Sequence, residues 1–290
     1  MPEADTVILV DAANMAARAF HTFCTVQQLR AHDGTLSGHV YGVLRMTEAL
    51  FDKHGHGKTA IVFAFEGYPA HRYTLFPEYK GHRRVQLAEA GGHSALMPDP
   101  KYDQYMAMLA VPSHCLLLPL GEADDAIASV VSSLPARVKK VVVSTDRDLW
   151  PLKRYGVTIL AQAGSEVHDR ASLDKLGVRM AQVAVYKAFY GDSGDGLPRV
   201  PRIRAEWASS ILRAGWTELP DMADLPAPFR SHVAPHWEQV ERVYKAVLLL
   251  EQPDKLVAEI RDDGGRSLDE LIRRYSMRSL KPMLERWSHT

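Results

Sequence analysis

The stretch HCLLLPLGEADDAIAS (114–129) decides the reading of the fold. Its first half, HCLLLPL, is a short apolar run of strand length. Its second half opens on three acids and continues with the spacing of a helix, EADDAIASVVSSL (122–134). A buried strand running into a helix whose first turn is acidic is the unit of an α/β protein. Working outward, the same unit recurs. TVILV (6–10) ends on Asp11 and leads into AANMAARAFHTF. TAIVFAF (59–65) is followed by Glu66. VKKVVVST (138–145) is followed by Asp146 and Asp148, and GVTILA (156–161) reads as a fifth strand. Gly38 to Lys53 and residues 99–110 carry apolar residues at helical spacing. From about residue 170 the pattern is mostly helical, with no convincing strand. The expected architecture is an α/β domain over residues 1–170, built on a parallel sheet with flanking helices, and a smaller helical domain over 171–290.

The strand ends carry the chemistry. In open α/β sheets, sites form beyond the carboxyl ends of the strands, so Asp11, Glu66, Glu122, Asp124, Asp125, Asp146 and Asp148 are brought to one edge by topology alone. Glu122 and Asp125, three apart, share a helix face. Asp146 and Asp148, two apart in extended chain, point the same way. Any one of these acids has an ordinary role, as a helix cap, a turn former or a complement to a helix N-terminus. Four successive strands ending on acids is more than capping requires. So many carboxylates at one edge raise each other's pKa values unless cations compensate. Hard oxygen donors without a Cys or His cluster select Mg²⁺ or Mn²⁺, and a pair of such ions roughly 3.5–4 Å apart suits phosphodiester hydrolysis.

The remaining composition sets bounds. The chain has 290 residues, 46% of them hydrophobic, enough for a sizeable core. It has 35 basic and 35 acidic residues. Setting aside nine acids as metal ligands leaves 26 against the 35 bases, so a neutral total is compatible with binding DNA. No apolar run approaches a membrane span, and the first residues, MPEAD, do not resemble a signal peptide. Cys24 and Cys115 fit no zinc spacing and read as reduced, which points to the cytoplasm. GHGKT (55–59) is not a phosphate-binding loop, because it precedes a strand and Asp52 stands where the first glycine belongs. The scattered histidines are assigned no catalytic role.

LVDAANMAARAFH, LFPEYKGHRR, GEADDAIAS, VVVSTDRDLWPL and YGDSGDGLPRVP, in that order, resemble the flap endonuclease and 5′→3′ exonuclease family, which includes the 5′-nuclease domain of bacterial DNA polymerase I and stand-alone phage enzymes. The resemblance runs from about residue 6 to 204. It implies a PIN-like sheet and two divalent ions. Asp11, Glu122, Asp124 and Asp146 match the acids of the first, with Asp125 in the same cluster. Asp148, Asp192 and Asp195 match those around a second. Family members commonly carry an Asp directly after the second strand; here IVFAFEGYPAHR offers Glu66 in its place. In HRYTLFPEYKGHRR (71–84), the resemblance marks the start of an arch for single-stranded 5′ ends. Lys80 and Arg83 match its YK-x-x-R element and would stabilise charge on the scissile phosphate. Tyr79 matches a position that stacks on a terminal base, and Arg72 and Arg84 add phosphate-binding charge.

The resemblance also implies a helix–hairpin–helix that grips the duplex, reading roughly GVPGIG. This chain reads RVPRIR (199–204), a degenerate form. Glycines there permit positive φ and close approach of backbone N–H groups to phosphate. Arg202 and Arg204 weigh against the potassium ion usually associated with the hairpin, and Arg199, Arg202 and Arg204 are expected to meet phosphate through their side chains. The expected function is a monomeric, Mg²⁺-dependent 5′-nuclease acting on DNA with a 5′ end or a 5′ flap. The alternatives are a PIN-type metal-dependent ribonuclease, which has fewer acids and usually lacks the YK-x-x-R segment, and a non-catalytic DNA-binding relative, which lacks ligands.

Overall fold

The structure is a computed structural model that describes residues 4–81, 100–111, 114–161, 164–259, 266–280 and 282. Its centre is β1 (Thr6–Asp11), buried along its whole length. It pairs in parallel with β2 (Thr59–Phe65) on one side and with β4 (Lys139–Val143) on the other. The sheet extends beyond β2 through β3 (His114–Leu117) and beyond β4 through β5 (Thr158–Leu160), giving the order β5-β4-β1-β2-β3 with all five strands parallel. The chain starts in the middle and winds outward both ways, so the crevice between β1 and β4 is a topological switch point.

A strand covered on both faces reads as a continuous apolar run, and VILV in β1 separates by period two into two cores. Val7 and Leu9 join Val62, Ala64, Val142 and Ile159 on one face. That face is covered by α5 (Ala123–Ser133), through Ile127 and Val131, and by the 3₁₀ segment Arg147–Tyr155, through Leu149 and Leu152. Ile8 and Val10 join Ile61, Phe63, Val141 and Val143 on the other. This second face is covered by α1 (Ala12–Ala19), α2 (Gly38–His54) and α4 (Pro100–Ala110). A short α3 (Ala70–Leu75) follows β2. The remaining helices are α6 (Asp169–Leu176), α7 (Val183–Tyr190), α8 (Ala205–Ile211), α9 (Ala227–Val233), α10 (Trp237–Val247) and α11 (Arg266–Arg274).

The expectation of a mixed α/β fold with a parallel sheet and flanking helices is met. The absence of strands after residue 170 is not: β6 (Val257–Glu259) adds antiparallel to the outer edge of β3. Leu268, Leu271, Ile272 and Tyr275 of the following segment complete the second core, against α4. Three residues are too short for a period-two signal to stand out. Arg83 and Arg84 lie outside the described residues. Among the described residues no helix is long and apolar enough to cross a membrane.

Candidate metal and nucleic-acid site

Five carboxylates converge at the carboxyl edge of the sheet. Asp11 ends β1 and caps α1: one oxygen accepts from the backbone N–H of Asn14 (2.9 Å) and the other from Ser144 Oγ at the end of β4 (3.0 Å). That bond spans the switch point. Asp146 follows two residues after Ser144, and its carboxylate accepts from the N–H of Asp148 (2.9 Å). Glu66 follows β2 and accepts from the N–H of Ala123 in the first turn of α5 (3.2 Å). Glu122 caps α5. Asp124 stands between these groups. Burial raises its pKa well above the usual carboxylate range, and Asp146, Asp11, Asp148 and Glu66 raise it further. Burial likewise raises Asp11, with Asp146 adding to it, and raises Glu66, with Glu122 adding to it. Hydrogen bonds to Asp11 and Glu66 pull the other way and do not win. Acids such as Asp11, Glu66 and Asp124, raised by burial and then by neighbouring carboxylates, gain most from a multivalent cation.

A second carboxylate group lies beside the first. Oxygens of Asp148, Asp192 and Asp195 fall within 4.8 Å of one another, in the arrangement of an all-oxygen cation site. Asp192 and Asp195 sit on the tight loop after α7, closed by paired backbone hydrogen bonds between Asp192 and Leu197 (3.0 and 2.8 Å). Gly191 makes the turn possible. Its φ of +72° is open to glycine, and a Cβ there would come within 2.7 Å of Arg199 N and Leu197 O. Lys187 Nζ of α7 contacts Asp148 Oδ1 and lies 2.6 Å from Asp192 Oδ2. Burial pushes the Asp148 carboxyl up to about 6, the Lys187 charge working against it. For Asp192 the balance reverses: burial would raise its pKa, but Lys187 holds it below the usual value.

The basic segment is placed differently from its expected roles. Arg72, expected to meet phosphate, is 3% exposed. Its guanidinium forms a two-pronged pair with Asp125 (2.5 and 2.9 Å) and donates through Nε to the carbonyl of Ala246 (2.9 Å). Asp125, expected among the metal ligands, also accepts from the N–H groups of Glu122 and Leu250 (2.8 Å each). With four donors on two oxygens, it is a buried anchor for Glu122. Burial would raise its pKa, but the Arg72 hydrogen bonds and charge hold it low.

Tyr79, expected to stack on a base, is 3% exposed. Its hydroxyl donates to Glu122 Oε2 (2.9 Å) and lies 3.3 Å from Asp195 Oδ2, so it bridges the two carboxylate groups. Lys80 Nζ reaches Glu122 Oε1 (2.5 Å), and its backbone N–H donates to the carbonyl of Asp195 (2.9 Å). Burial would lower the Lys80 pKa, but Glu122 and Asp195 raise it, so the ammonium stays charged at the edge of the site.

The loop 199–204 turns Val200 and Ile203 into the core and leaves Arg199, Arg202 and Arg204 exposed between α7 and α8. Arg199 lies over the Tyr190 ring (5.3 Å). Arg202 adopts φ +61°, the left-handed conformation, although it carries a Cβ. Two participants escaped the sequence reading. Ser144 lacks any distinguishing pattern. Lys187 carries a faint signal: it is the single charge in the helix VAVYKAFY, five residues before Asp192.

Comparisons with known proteins agree with this geometry. The model of the family described as 5′-3′ exonuclease, N-terminal resolvase-like domain, matches residues 6–180. A 5′-3′ exonuclease of Buchnera aphidicola (subsp. Schizaphis graminum) is 25% identical over 213 residues, covering 71% of this chain and 69% of that protein. DNA polymerase I of Pseudomonas aeruginosa is 30% identical over 217 residues, covering 71% of this chain but 22% of the polymerase. Among solved structures, the zinc-bound 5′-exonuclease of bacteriophage T5 superposes with a TM-score of 0.66 at 19% identity, over 94% of this chain and 98% of that one. Flap endonuclease-1 from Methanococcus jannaschii superposes with a TM-score of 0.62 at 15% identity, over 99% and 92%. At these identities the structural likeness speaks for the fold.

Proposed function

The chain belongs to the 5′-3′ exonuclease family, and from that premise we propose that it hydrolyses DNA phosphodiesters at 5′ ends or 5′ flaps with two divalent ions, Mg²⁺ or Mn²⁺. The observation that carries the reading is the set of Asp11, Glu66, Asp124 and Asp146 at one sheet edge, with Asp124 raised in pKa first by burial and then by Asp146, Asp11, Asp148 and Glu66. The all-oxygen donor set fits a hard cation. We assign Asp11, Glu66, Glu122, Asp124 and Asp146 to the first ion, and Asp148, Asp192 and Asp195 to the second. When bound, such ions supply Lewis acidity for phosphodiester hydrolysis.

The chain's own residues do the rest. Asp125 and Arg72 fix the first turn of α5, and with it Glu122. Lys80 holds a positive charge beside Glu122, where it meets the scissile phosphate. We read the α7–loop–α8 unit as a degenerate helix–hairpin–helix, with Arg199, Arg202 and Arg204 on the duplex backbone. Arg83 is proposed to join Lys80 in stabilising charge on the scissile phosphate, and Arg84 to add phosphate-binding charge. The division near residue 170 is one of labour. Residues before it carry the first carboxylate group, and residues after it bring Asp192, Asp195 and the hairpin. The protein acts as a monomer on this reading.

A 5′-labelled flap duplex, a blunt duplex and a single-stranded RNA, each with Mg²⁺ or with EDTA, test the proposal. Mg²⁺-dependent cleavage of a DNA substrate is the expected result. Cleavage of the RNA alone would move the chain to the ribonuclease reading, and no cleavage at all would leave a DNA-binding relative. Asp146→Ala should abolish cleavage while duplex binding stays largely intact.

A further inference from the structure

Lys187 reaches the second carboxylate group from inside the protein. Its helix, α7, is fixed by the buried side chains of Val183, Val185, Tyr186, Ala188 and Phe189, so the lysine stem leaves the helix in one direction. Its ammonium contacts Asp148 and lies 2.6 Å from Asp192, within a set of three carboxylates whose oxygens all fall inside 4.8 Å. The Lys187 side chain is 14% exposed. An ammonium is a compact point charge with three donors. Set between carboxylates, it occupies the position and satisfies the oxygens that a cation of this group would claim. The first group is different: none of the ion pairs formed among the described residues involves Asp11, Asp124 or Asp146. The tethered cations of the first group, Lys80 and Arg72, meet it at Glu122 alone, so Asp11, Asp124 and Asp146 start without a cation between them, whereas Lys187 sits directly on Asp148 and Asp192.

We infer that Lys187 is the resident cation of the distal group, so that the free protein binds one divalent ion firmly, at the group of Asp11, Glu66, Asp124 and Asp146. A second ion enters at Asp148, Asp192 and Asp195 only when Nζ of Lys187 gives up its carboxylates. This rests on the two-ion reading of the site and refines it: occupancy of the distal position becomes conditional. The scissile phosphate is the natural trigger, since an added anion offers both the lysine and the incoming ion a new partner.

Mn²⁺ titration followed by electron paramagnetic resonance of the free ion, at neutral pH and without DNA, tests this independently of activity. The wild type should bind one ion tightly and a second far more weakly. Lys187→Met keeps the aliphatic stem and removes the charge; it should tighten the second ion by about tenfold or more. Lys187→Arg keeps the charge and should retain the wild-type isotherm. Two ions of matched affinity in the wild type would overturn the inference, whether or not the variants fold. So would an unchanged isotherm in a Lys187→Met protein with native circular dichroism. Failure of the nuclease reading is separate, since it appears as absent cleavage with the isotherm unaffected.

Discussion

Asp125 and Arg72 form the most deeply buried ion pair of the site, and their burial sets its energetics. The two side chains are 0% and 4% exposed, and the pair is completed by backbone groups of Glu122, Ala246 and Leu250. A buried pair of this kind adds modest net stability, but removing one partner strands a charge, at a cost of about 3–5 kcal/mol. Arg72→Ala should therefore lower the unfolding free energy by about that amount, measured in urea. The double variant Arg72→Met with Asp125→Leu should lose much less than the sum of the two single changes. A loss within about 0.5 kcal/mol for Arg72→Ala, typical of an exposed side chain, would show that the pair is not desolvated. The sequence reading assigned Arg72 to phosphate and Asp125 to a metal cluster, whereas in the structure the two pair with each other. Spacing tells that an arginine and a carboxylate lie near a site; it does not tell whether the arginine turns outward to a phosphate or inward to the acid. The deciding backbone partners here, the accepting carbonyl of Ala246 and the donating N–H of Leu250, lie more than a hundred residues away along the chain.

The hairpin between α7 and α8 separates conformation from charge. The sequence reading held that arginines lack the freedom of the family's glycines, yet Arg202 sits at φ +61°. Buried Val200 and Ile203 on either side hold the turn closed, and that packing overrides the local preference. Arg202→Gly should leave stability within about 1 kcal/mol of wild type or raise it, because relief of the left-handed strain offsets the added unfolded-state entropy. Arg202→Val, with a branched Cβ at the same φ, should lose more than about 1 kcal/mol. If the side chain meets phosphate, both variants should reduce the slope of log affinity against log salt by about 0.9, since each removes one contact. Fluorescence anisotropy with a duplex across a salt series reads the slope, and an unaltered slope would assign Arg202 to the solvated surface. The helical character of this region was legible in the sequence as a pattern that turns mostly helical after about residue 170. The exceptional φ was not, because it is set by tertiary packing.

At the scale of the whole molecule, the sequence reading was strongest where a rule acts along a contiguous run. The five parallel strands, their order of chemistry at the sheet edge and the helices between them all follow from such runs. It was weakest where the chain returns on itself, as β6 and α11 do. The contacts of α11 meet at a buried polar cluster: Tyr275 OH donates to Asp103, Arg274 lies 3.4 Å from the same carboxylate, and the His39 ring packs edge-on against Tyr275 at 5.3 Å. His39 is 4% exposed, with Cys24 Sγ 3.9 Å from its Nδ1. Burial lowers its pKa below the usual 6.5; Asp103 works against that shift and Arg274 adds to it. The sign of the linkage follows. A histidine whose folded pKa is depressed is neutral in both states well above 6.5, and there it contributes no pH dependence. As pH falls through 6.5 the unfolded chain takes up the proton first, so stability falls until the folded pKa is passed. The slope attributable to one such group is at most about 1.4 kcal/mol per pH unit. Urea unfolding of wild type and His39→Asn at a series of pH values below 6.5 isolates it, because the variant bears the packing loss at every pH but lacks the titration. The wild-type stability should fall more steeply than the variant's over this window. Parallel curves would mean that the junction of α2, α4 and α11 opens to water readily enough for His39 to titrate as a free side chain.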